Sequence, residues 1–246
     1  MSFEKRINEF KSLIENSKHI VFFGGAGVST ASGIPDFRSE DGLYNKVDEE
    51  FTKYKPEYLL SRHCLYVNTK VFYDFYRKKM NYRNIQPNIA HIKLAELEKT
   101  GKRISVITQN IDGLHEKAGS TEIYNIHGTT SRNYCTKCNA EYPIEAIFDS
   151  TEEIPRCTKC SQFGIIRPDV TLYGEALPKA FTEATKVINE ADLMIVAGTS
   201  LSVYPAASLV SYFDGPLVII NRDDTFIDNT ATLVFKESIS EVFNNI

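Results

Sequence analysis

Four short apolar runs recur along the chain, and each ends in a polar or glycine-rich segment. They are HIVFF before GGAG, ISVIT before QNID, LMIVA before GTS, and PLVII before NRDD. Runs that are short and apolar at every position are typical of strands buried on both faces, as the strands of a parallel sheet are. The sequence therefore predicts a parallel sheet at the centre of the fold.

Helical patterns lie between these runs. An amphipathic pattern covers the first 20 residues, NIAHIKLAELEKTG presents one broad apolar face, and KAFTEATKVINE predicts a helix over residues 179–190. Strands that alternate with helices predict an α/β fold built on a Rossmann-like, doubly wound parallel sheet. Such sheets bind ligands at the carboxyl ends of their strands, so we expect the four polar segments to converge there.

Two stretches interrupt this alternation. Residues 38–84 are rich in tyrosine and charge and contain the helical run VFYDFYRKKM, whereas residues 133–164 contain most of the cysteines. We interpret both as insertions into a nucleotide-binding domain made of residues 1–37, 85–132 and 165–246. The aromatic residues at 72–76 are interpreted as packing within the first insertion.

Four of the five cysteines form two Cys-x-x-Cys pairs, Cys135 with Cys138 and Cys157 with Cys160, separated by 18 residues. This spacing is typical of a tetrahedral zinc ribbon with four thiolate ligands. Four protein ligands leave no open position, so the pattern predicts a structural zinc. We interpret Cys64 as a core thiol.

The charge balance and hydropathy exclude some partners. The formal net charge of −4 disfavours nucleic acid, since affinity for a phosphate backbone requires clustered Lys and Arg. No apolar run approaches the roughly 18 residues that a membrane span needs. We therefore expect a cytoplasmic protein with no membrane partner.

Three glycines, Gly24, Gly25 and Gly27, follow the first strand and by pattern precede a helix. Backbone amides in such a turn can approach a pyrophosphate, but glycines also make tight strand-to-helix turns. No acidic residue ends a second strand about 20 residues further on, as the usual dinucleotide fingerprint requires. Asn221, after a later strand, is the candidate for the adenosine ribose.

The segment GAGVSTASGIPDFRS, residues 25–39, closely resembles the signature of the sirtuin family, bacterial type. Further blocks follow in the family's order, and they are PNIAH at 87–91, QNID at 109–112, HG at 127–128, the paired cysteines, RPDVTLYGE at 167–175, GTS at 198–200 and IN at 220–221. The ordered set covers about residues 20–225.

This resemblance implies an NAD-dependent removal of acyl groups, most often acetyl, from protein lysines. The products would be nicotinamide, free lysine and O-acyl-ADP-ribose, with NAD consumed as co-substrate and one structural zinc retained. The partners would be acyl-lysine proteins or peptides. Family members that prefer acidic acyl groups carry a Tyr-x-x-Arg pair, whereas the nearest match here is Tyr73-x-x-Tyr76, which predicts a neutral acyl group.

The resemblance also implies roles for individual residues. His127 matches the general base, and an imidazole can accept a proton at neutral pH. Asn110 and Asp112 match catalytic residues of the nicotinamide pocket. The positions that match cofactor contacts are Gly25, Ala26, Gly27, Thr30, Phe37, Arg38, Gln109, Asn110, Ile111, Asp112, Thr199, Ser200 and Asn221. The first insertion then includes the cofactor loop.

Three alternatives stay open at this point. The same pocket could transfer ADP-ribose to a protein, or the chain could be a hydride-transferring dehydrogenase. It could also be a non-enzymatic zinc-ribbon binding protein. Arg222, near the expected ribose site, could accommodate the 2′-phosphate of NADP, although the resemblance favours NAD.

Overall fold

A computed structural model describes residues 1–37, 39, 42–46 and 48–246. The strands of this described part, numbered in chain order, are β1 His19–Gly24, β2 Arg103–Thr108, β3 Glu122–Asn125, β4 Gly128–Cys135, β5 Glu141–Pro143, β6 Ile166–Val170, β7 Leu193–Ala197, β8 Leu217–Ile220 and β9 Leu233–Phe235. Six of them form a sheet in the order β3-β2-β1-β7-β8-β9, in which every neighbouring pair is parallel. The predicted doubly wound sheet is thus confirmed.

The four predicted strands correspond to β1, β2, β7 and β8, the central strands of this sheet. Every residue of β1, β7 and β8 is buried, which explains why these runs are apolar on both faces. The edge strands β3 and β9 were not predicted. They have four and three residues, and β3 is only partly buried, so neither presents a long apolar run.

The helices of the described residues are α1 Phe3–Asn16, α2 Pro56–Leu59, α3 Arg62–Val67, α4 Thr69–Lys79, α5 Ile89–Lys99, α6 Leu114–Ala118, α7 Glu145–Phe148, α8 Lys179–Glu190 and α9 Ile239–Asn244. α1, α5 and α9 share one apolar core with the sheet, whereas α8 and the 3₁₀ segment Ala206–Tyr212 share another. The predicted helices in the first 20 residues, after Pro87 and over residues 179–190 are confirmed. None of the described helices is long and apolar enough to cross a membrane.

The start of α5 is fixed by a capping box. The Asn88 side chain accepts a hydrogen bond from the Ala90 amide at 3.0 Å, and the His91 Nδ1 atom accepts one from the Asn88 amide at 3.3 Å. Each of these bonds satisfies an amide that the first helical turn leaves without a partner. His91 therefore has a structural role at the start of α5.

The helix predicted after the glycine turn is wrong. Two short 3₁₀ turns, Ala26–Val28 and Thr30–Ser32, stand there instead. Gly33 ends the second turn in the left-handed conformation, with φ of 90°, and Pro35 follows two residues later. The segment is therefore stopped before an α-helix of ordinary length could form.

A second body of the fold combines the inserted segments with residues that flank the second one, since β4 begins at Gly128 and β6 spans Ile166–Val170. β4 lies between β5 and β6 in an antiparallel sheet, and its side chains share an apolar core with helices α3, α4 and α7. Tyr73 and Tyr76 are fully buried in this core, and the Tyr73 hydroxyl donates to the Ile166 carbonyl at 2.8 Å. Core packing at 72–76 is thus confirmed. The prediction of a neutral acyl group rests on the arginine that the Tyr73-x-x-Tyr76 pair lacks, and this burial does not change it.

Candidate active site and metal site

The first and third predicted strands meet where the strand order of the sheet reverses. β1 and β7 are neighbours, and the turns that leave them touch. The Gly25 amide donates to the Ala197 carbonyl at 3.1 Å, and the Gly27 amide donates to the Gly198 carbonyl at 2.8 Å. The Gly198 amide in turn donates to the Ile220 carbonyl at 3.0 Å, so the polar segments converge at this switch point as predicted.

The glycines at this point serve a close approach of two backbones. A Cβ atom on Gly27 would lie 2.8 Å from the Gly198 Cα, and one on Gly198 would lie 2.4 Å from the Val28 nitrogen. Gly198 also has φ of 57°, which favours glycine. The amides of Gly25 and Gly27 already donate to carbonyls, so they are not free to bind a phosphate. Any contribution of these residues to phosphate binding comes from the close packing of the two turns, which the absence of side chains allows.

The QNID segment after β2 forms a chain of buried hydrogen bonds. The Asn110 Nδ2 atom donates to the Gly25 carbonyl and to the Ser29 hydroxyl, both at 3.1 Å. The Ser29 hydroxyl donates to Asp112 Oδ2 at 2.6 Å, and the Leu114 amide donates to Asp112 Oδ1 at 2.9 Å. This chain fixes the side chains of Asn110 and Asp112 relative to the glycine turn.

Ser29 was missed by the sequence reasoning as a site residue. Its side chain is almost completely buried, between Asn110 and Asp112. The one available sign was its position within the block shared with the sirtuin signature, because a serine in a glycine-rich turn is otherwise ordinary. Only the packing of the turn against the QNID segment gives Ser29 its partners.

The electrostatics of Asp112 reflect two opposing effects. Burial raises the pKa of the carboxyl group above its usual range, whereas the hydrogen bonds from Ser29 and Leu114 lower it. Each carboxylate oxygen accepts one of these bonds and has a further lone pair. The group can therefore accept a hydrogen bond from a ligand N–H without losing its anchors.

His127 lies between β3 and β4, beside the same segment. Its Nδ1 atom lies 3.1 Å from the Gln109 carbonyl oxygen, which assigns the proton of the neutral ring to Nδ1 and leaves Nε2 as the acceptor. Burial lowers the pKa of the imidazole below its usual value, and the hydrogen bond to Gln109 partly opposes this. With its proton on Nδ1, the neutral form of the ring presents Nε2 as a proton acceptor.

The backbone of His127 also contacts the segment that follows β6. The Thr171 amide donates to the His127 carbonyl at 2.8 Å. Gly128 has φ of 79°, and a Cβ atom there would lie 2.1 Å from the Asp169 carbonyl oxygen. The candidate base is therefore held between the six-stranded sheet and the second body of the fold.

The remaining predicted cofactor residues surround this centre. The Gln109 Nε2 atom donates to the Thr199 hydroxyl at 3.2 Å, which joins the ends of β2 and β7. The Asn221 side chain, just after β8, donates to the Asp223 carbonyl at 2.9 Å. Their neighbours on the same turns are Ala26 and Thr30 after β1, Ile111 after β2 and the exposed Ser200 after β7.

Phe37 lies further along the chain from the glycine turn. Its ring meets the Tyr44 ring edge-on, with centroids 5.4 Å apart. It is partly buried against the core of the second body. Arg38, which the sequence analysis placed beside it, lies outside the described residues.

The four paired cysteines converge as the spacing predicts. Their sulfur atoms all lie within 4.8 Å of one another, with Cys135 and Cys160 at 3.9 Å and Cys138 and Cys157 at 3.7 Å. A tetrahedral zinc with thiolates at about 2.3 Å has sulfur–sulfur edges of about 3.8 Å. The donor set and its spacing thus fit a structural zinc.

Local hydrogen bonds favour the thiolate form of Cys157, whereas burial and the other three thiols raise the pKa of Cys138. The Tyr142 hydroxyl donates to the Cys157 sulfur at 3.1 Å, and the Lys159 amide donates to it at 3.3 Å. Although burial acts in the opposite direction, these bonds lower the pKa of Cys157 to about 6. The Lys137 amide makes the equivalent contact with Cys135 at 3.3 Å. Thiolates are the form that binds zinc.

Comparison with known proteins identifies the family of the chain. Residues 25–205 match the Sir2 family. An NAD-dependent protein deacetylase of Clostridium acetobutylicum is 48% identical over 98% of each chain. A solved Sir2 complex with deacetylated p53 peptide and 3′-O-acetyl ADP ribose is 36% identical, with a TM-score of 0.87 over 97% of this chain and 96% of the other. A Sir2 complex with p53 peptide and NAD⁺ is 36% identical, with a TM-score of 0.83 over 97% of this chain and 95% of the other. The chain therefore belongs to the Sir2 family.

Proposed function

We propose that this protein is an NAD-dependent protein deacetylase, which releases nicotinamide and free lysine and transfers the acyl group to ADP-ribose. The observation that carries this proposal is the His127 ring, held by the Gln109 carbonyl beside the anchored side chains of Asn110 and Asp112. A base and a carboxylate at the switch point of a nucleotide-binding sheet suit chemistry on the ribose of a bound dinucleotide. The relatives named as NAD-dependent deacetylases support the same conclusion.

NAD lies across the switch point in this proposal. Thr199, Ser200 and Asn221, after β7 and β8, bind the adenosine half, while Gln109 binds the second ribose. Ala26, Thr30, Phe37 and Arg38 line the cofactor from the glycine turn onward. Asn110, Ile111 and Asp112 hold nicotinamide, because a buried carboxylate can accept a hydrogen bond from the carboxamide N–H₂.

His127 acts as the general base. NAD would supply the ribose carbon, which loses nicotinamide and bonds to the acyl oxygen, and the ribose hydroxyl that receives the acyl group. One water is consumed when free lysine leaves. The Nε2 atom of His127 takes the proton of a ribose hydroxyl, and the Gln109 carbonyl stabilises the resulting imidazolium through the Nδ1 proton. Thr171 matches a position of the family's acyl-lysine channel, so the acyl-lysine enters beside this residue, whose amide donates to the His127 carbonyl.

The cysteine cluster has a structural role in this scheme. Cys135, Cys138, Cys157 and Cys160 hold zinc with no open ligand position, so the metal stabilises the second body and takes no part in the reaction. We retain the division of the chain into a nucleotide-binding domain and two insertions, over residues 38–84 and 133–164. The cytoplasmic location likewise stays a prediction from the sequence.

The test is the substitution His127→Ala, assayed with NAD and an acetyl-lysine peptide. Removing the base should lower turnover by roughly 10²- to 10⁴-fold, while zinc content and melting temperature stay at the wild-type values. His63→Ala, at an exposed position, is the matched control and should keep full activity.

Mass spectrometry of the peptide separates this reaction from its alternatives. Deacetylation removes the acetyl mass, whereas ADP-ribosyl transfer adds the mass of ADP-ribose, and a non-enzymatic binding protein changes neither. Near-normal deacetylation by a folded His127→Ala protein would contradict the assigned base. Absence of nicotinamide release by the wild type would contradict the function.

A further inference from the structure

A cavity of about 380 Å³ opens between the loop that follows β6 and the first turn of α3. Its lining includes Gly128, the residue after the candidate base His127. It also includes Thr171, beside which the proposed function places the acyl-lysine, and Arg62 at the start of α3. A peptide whose acyl-lysine reaches His127 therefore has its neighbouring residues within reach of this cavity.

Arg62 is fixed at the wall of the cavity by its backbone. Ser61 caps α3, since its hydroxyl accepts a hydrogen bond from the Cys64 amide at 3.0 Å. The Arg62 amide donates to the Tyr173 carbonyl, and the Tyr173 amide donates to the Leu60 carbonyl, both at 3.0 Å. These bonds join the start of α3 to the loop after β6, so the fold sets the position of Arg62 relative to that loop.

The other charged groups of the cavity are already paired. Arg167 and Glu175 form an ion pair with a nitrogen–oxygen distance of 2.5 Å, and both side chains are largely buried. Burial raises the pKa of Glu175, but the hydrogen bond from Arg167 outweighs this and holds the pKa below its usual value. Asp169 pairs with Arg132 at 2.9 Å. The charges of these two pairs cancel.

Arg62 differs from these groups. Its side chain is exposed, and no carboxylate of the described residues forms an ion pair with it. Its guanidinium carbon lies 5.9 Å from the centroid of the Tyr66 ring, one turn further along α3. This contact orients the guanidinium without neutralising it, and an arginine keeps its charge at any pH that the fold withstands. The cavity therefore carries one uncompensated positive charge.

We propose that Arg62 selects peptides that carry an aspartate or glutamate close to the acyl-lysine, and so acts as a specificity-determining residue. The inference rests on the proposed function, which brings the peptide to this cavity. A carboxylate can pair with a guanidinium through two parallel hydrogen bonds. Because the pair would be exposed, its gain should be modest, roughly 2- to 5-fold in peptide affinity, and screened by salt.

The experiment compares two sets of acetyl-lysine peptides that are capped at both ends and differ at one position, with glutamate in one set and glutamine in the other. The varied position moves through the neighbours on both sides of the acetyl-lysine, and kcat/KM is measured at saturating NAD. At the position that meets Arg62, the wild type should favour the glutamate peptide by roughly 2- to 5-fold. High salt should remove this preference.

Two variants of Arg62 test the assignment. Arg62→Gln should lose the preference and yet use the glutamine peptides as well as the wild type does. Arg62→Glu should reverse it, so that a lysine peptide is favoured over the glutamine peptide. Lys11→Gln is the matched control, because it removes an exposed cation of α1, a helix that packs in another core, and it should keep the wild-type preference.

A wild type with no preference for glutamate at any position, or a preference that survives Arg62→Gln, would overturn the proposal. Deacetylation of the glutamine peptides would in either case leave the proposed function intact. An Arg62→Gln protein that lost activity equally on both sets would show a structural role only, and the proposal would again be wrong. A wild type that deacetylates none of the peptides would overturn both.

Discussion

The two sites of this molecule assemble their polar groups in different ways. The cysteine cluster draws its four sulfur atoms from two short Cys-x-x-Cys pairs within residues 135–160, next to the small antiparallel sheet. The carboxyl edge of the large sheet draws its groups from turns after β1, β2, β7 and β8, which lie up to about 200 residues apart in sequence. The first site depends on local spacing, and the second depends on strand order.

This difference predicts how each site responds to substitution. The large sheet is held by three fully buried central strands, so a polar residue at its edge can change without loss of the core. The region around the cysteines is small, and a structural metal supplies folding free energy directly. Changes at the cysteines should therefore affect stability first, and changes at the sheet edge should affect chemistry first.

The largest expected effect is that of Cys157→Ser on the metal and the fold. Loss of one thiolate, which also accepts bonds from Tyr142 and Lys159, should release the zinc and lower the melting temperature. Apparent zinc-binding free energies of structural sites are about 10–16 kcal/mol, so little zinc-free protein should keep β4–β6 ordered. Elemental analysis, thermal melting and hydrogen exchange measure this.

The control is Cys64→Ala, which removes a buried thiol that lies outside the cluster. It should keep one zinc per chain with only a modest loss of stability. If the Cys157→Ser protein also kept stoichiometric zinc and its melting temperature, the cysteine cluster would not stabilise the fold through a bound metal. The expected contrast with the edge of the large sheet would then be wrong.

Acid should destabilise the large sheet through two buried histidines. His91 and His115 have ring centroids 4.6 Å apart, and neither His115 nitrogen has a protein hydrogen-bond partner. Burial lowers the pKa of His91 to about 4, and burial together with the neighbouring His91 lowers the pKa of His115 well below its usual value. In the unfolded chain both rings titrate near 6.5, so the unfolded state binds more protons as the pH falls below that value.

The free energy of unfolding should therefore be constant above about pH 6.5 and fall by up to about 1.4 kcal/mol per pH unit for each histidine below it. For His91 this decrease should continue to about pH 4. Urea unfolding of the wild type and of His115→Leu measures the slope, which should be smaller in the variant. His63→Gln controls for the loss of a histidine as such, and equal slopes in all three proteins would contradict this expectation.

The smallest expected effect is that of Asp112→Asn, and it tests the chemistry of the sheet edge. The Asp112 carboxylate accepts one bond on each oxygen, from Ser29 and from Leu114. An asparagine has a single acceptor oxygen, so one anchor is lost and the side chain no longer presents a fixed acceptor to nicotinamide. Nicotinamide release should slow by roughly 10- to 100-fold, whereas ADP-ribose should bind within about twofold of wild type.

Single-turnover kinetics and calorimetry with ADP-ribose separate these two quantities. Asp214→Asn, at an exposed position, is the matched control and should leave both unchanged. Equal losses of nicotinamide release and ADP-ribose affinity in Asp112→Asn would mean that the turn had collapsed. The carboxylate would then have only a structural role.

Part of this architecture is determined by sequence alone, because it depends on local pattern. Apolar runs predict β1, β2, β7 and β8, since strands buried on both faces cannot carry polar residues. Helical periodicity, with Pro87 and Gly101 near its ends, predicts α5. The spacing of two Cys-x-x-Cys pairs predicts the metal cluster before any fold is known.

What only the tertiary structure decided depends on contacts between distant segments. The short strands β3 and β9 are too small to produce a pattern, and pairing with a finished sheet creates them. Ser29 gains its role because the glycine turn packs against the QNID segment. The hydrogen bond from the Arg62 amide to the Tyr173 carbonyl joins α3 to the loop after β6. Periodicity and spacing indicate which residues of a segment are buried or bind a ligand together with their neighbours in sequence. Strand order and packing decide which distant side chains the segment contacts.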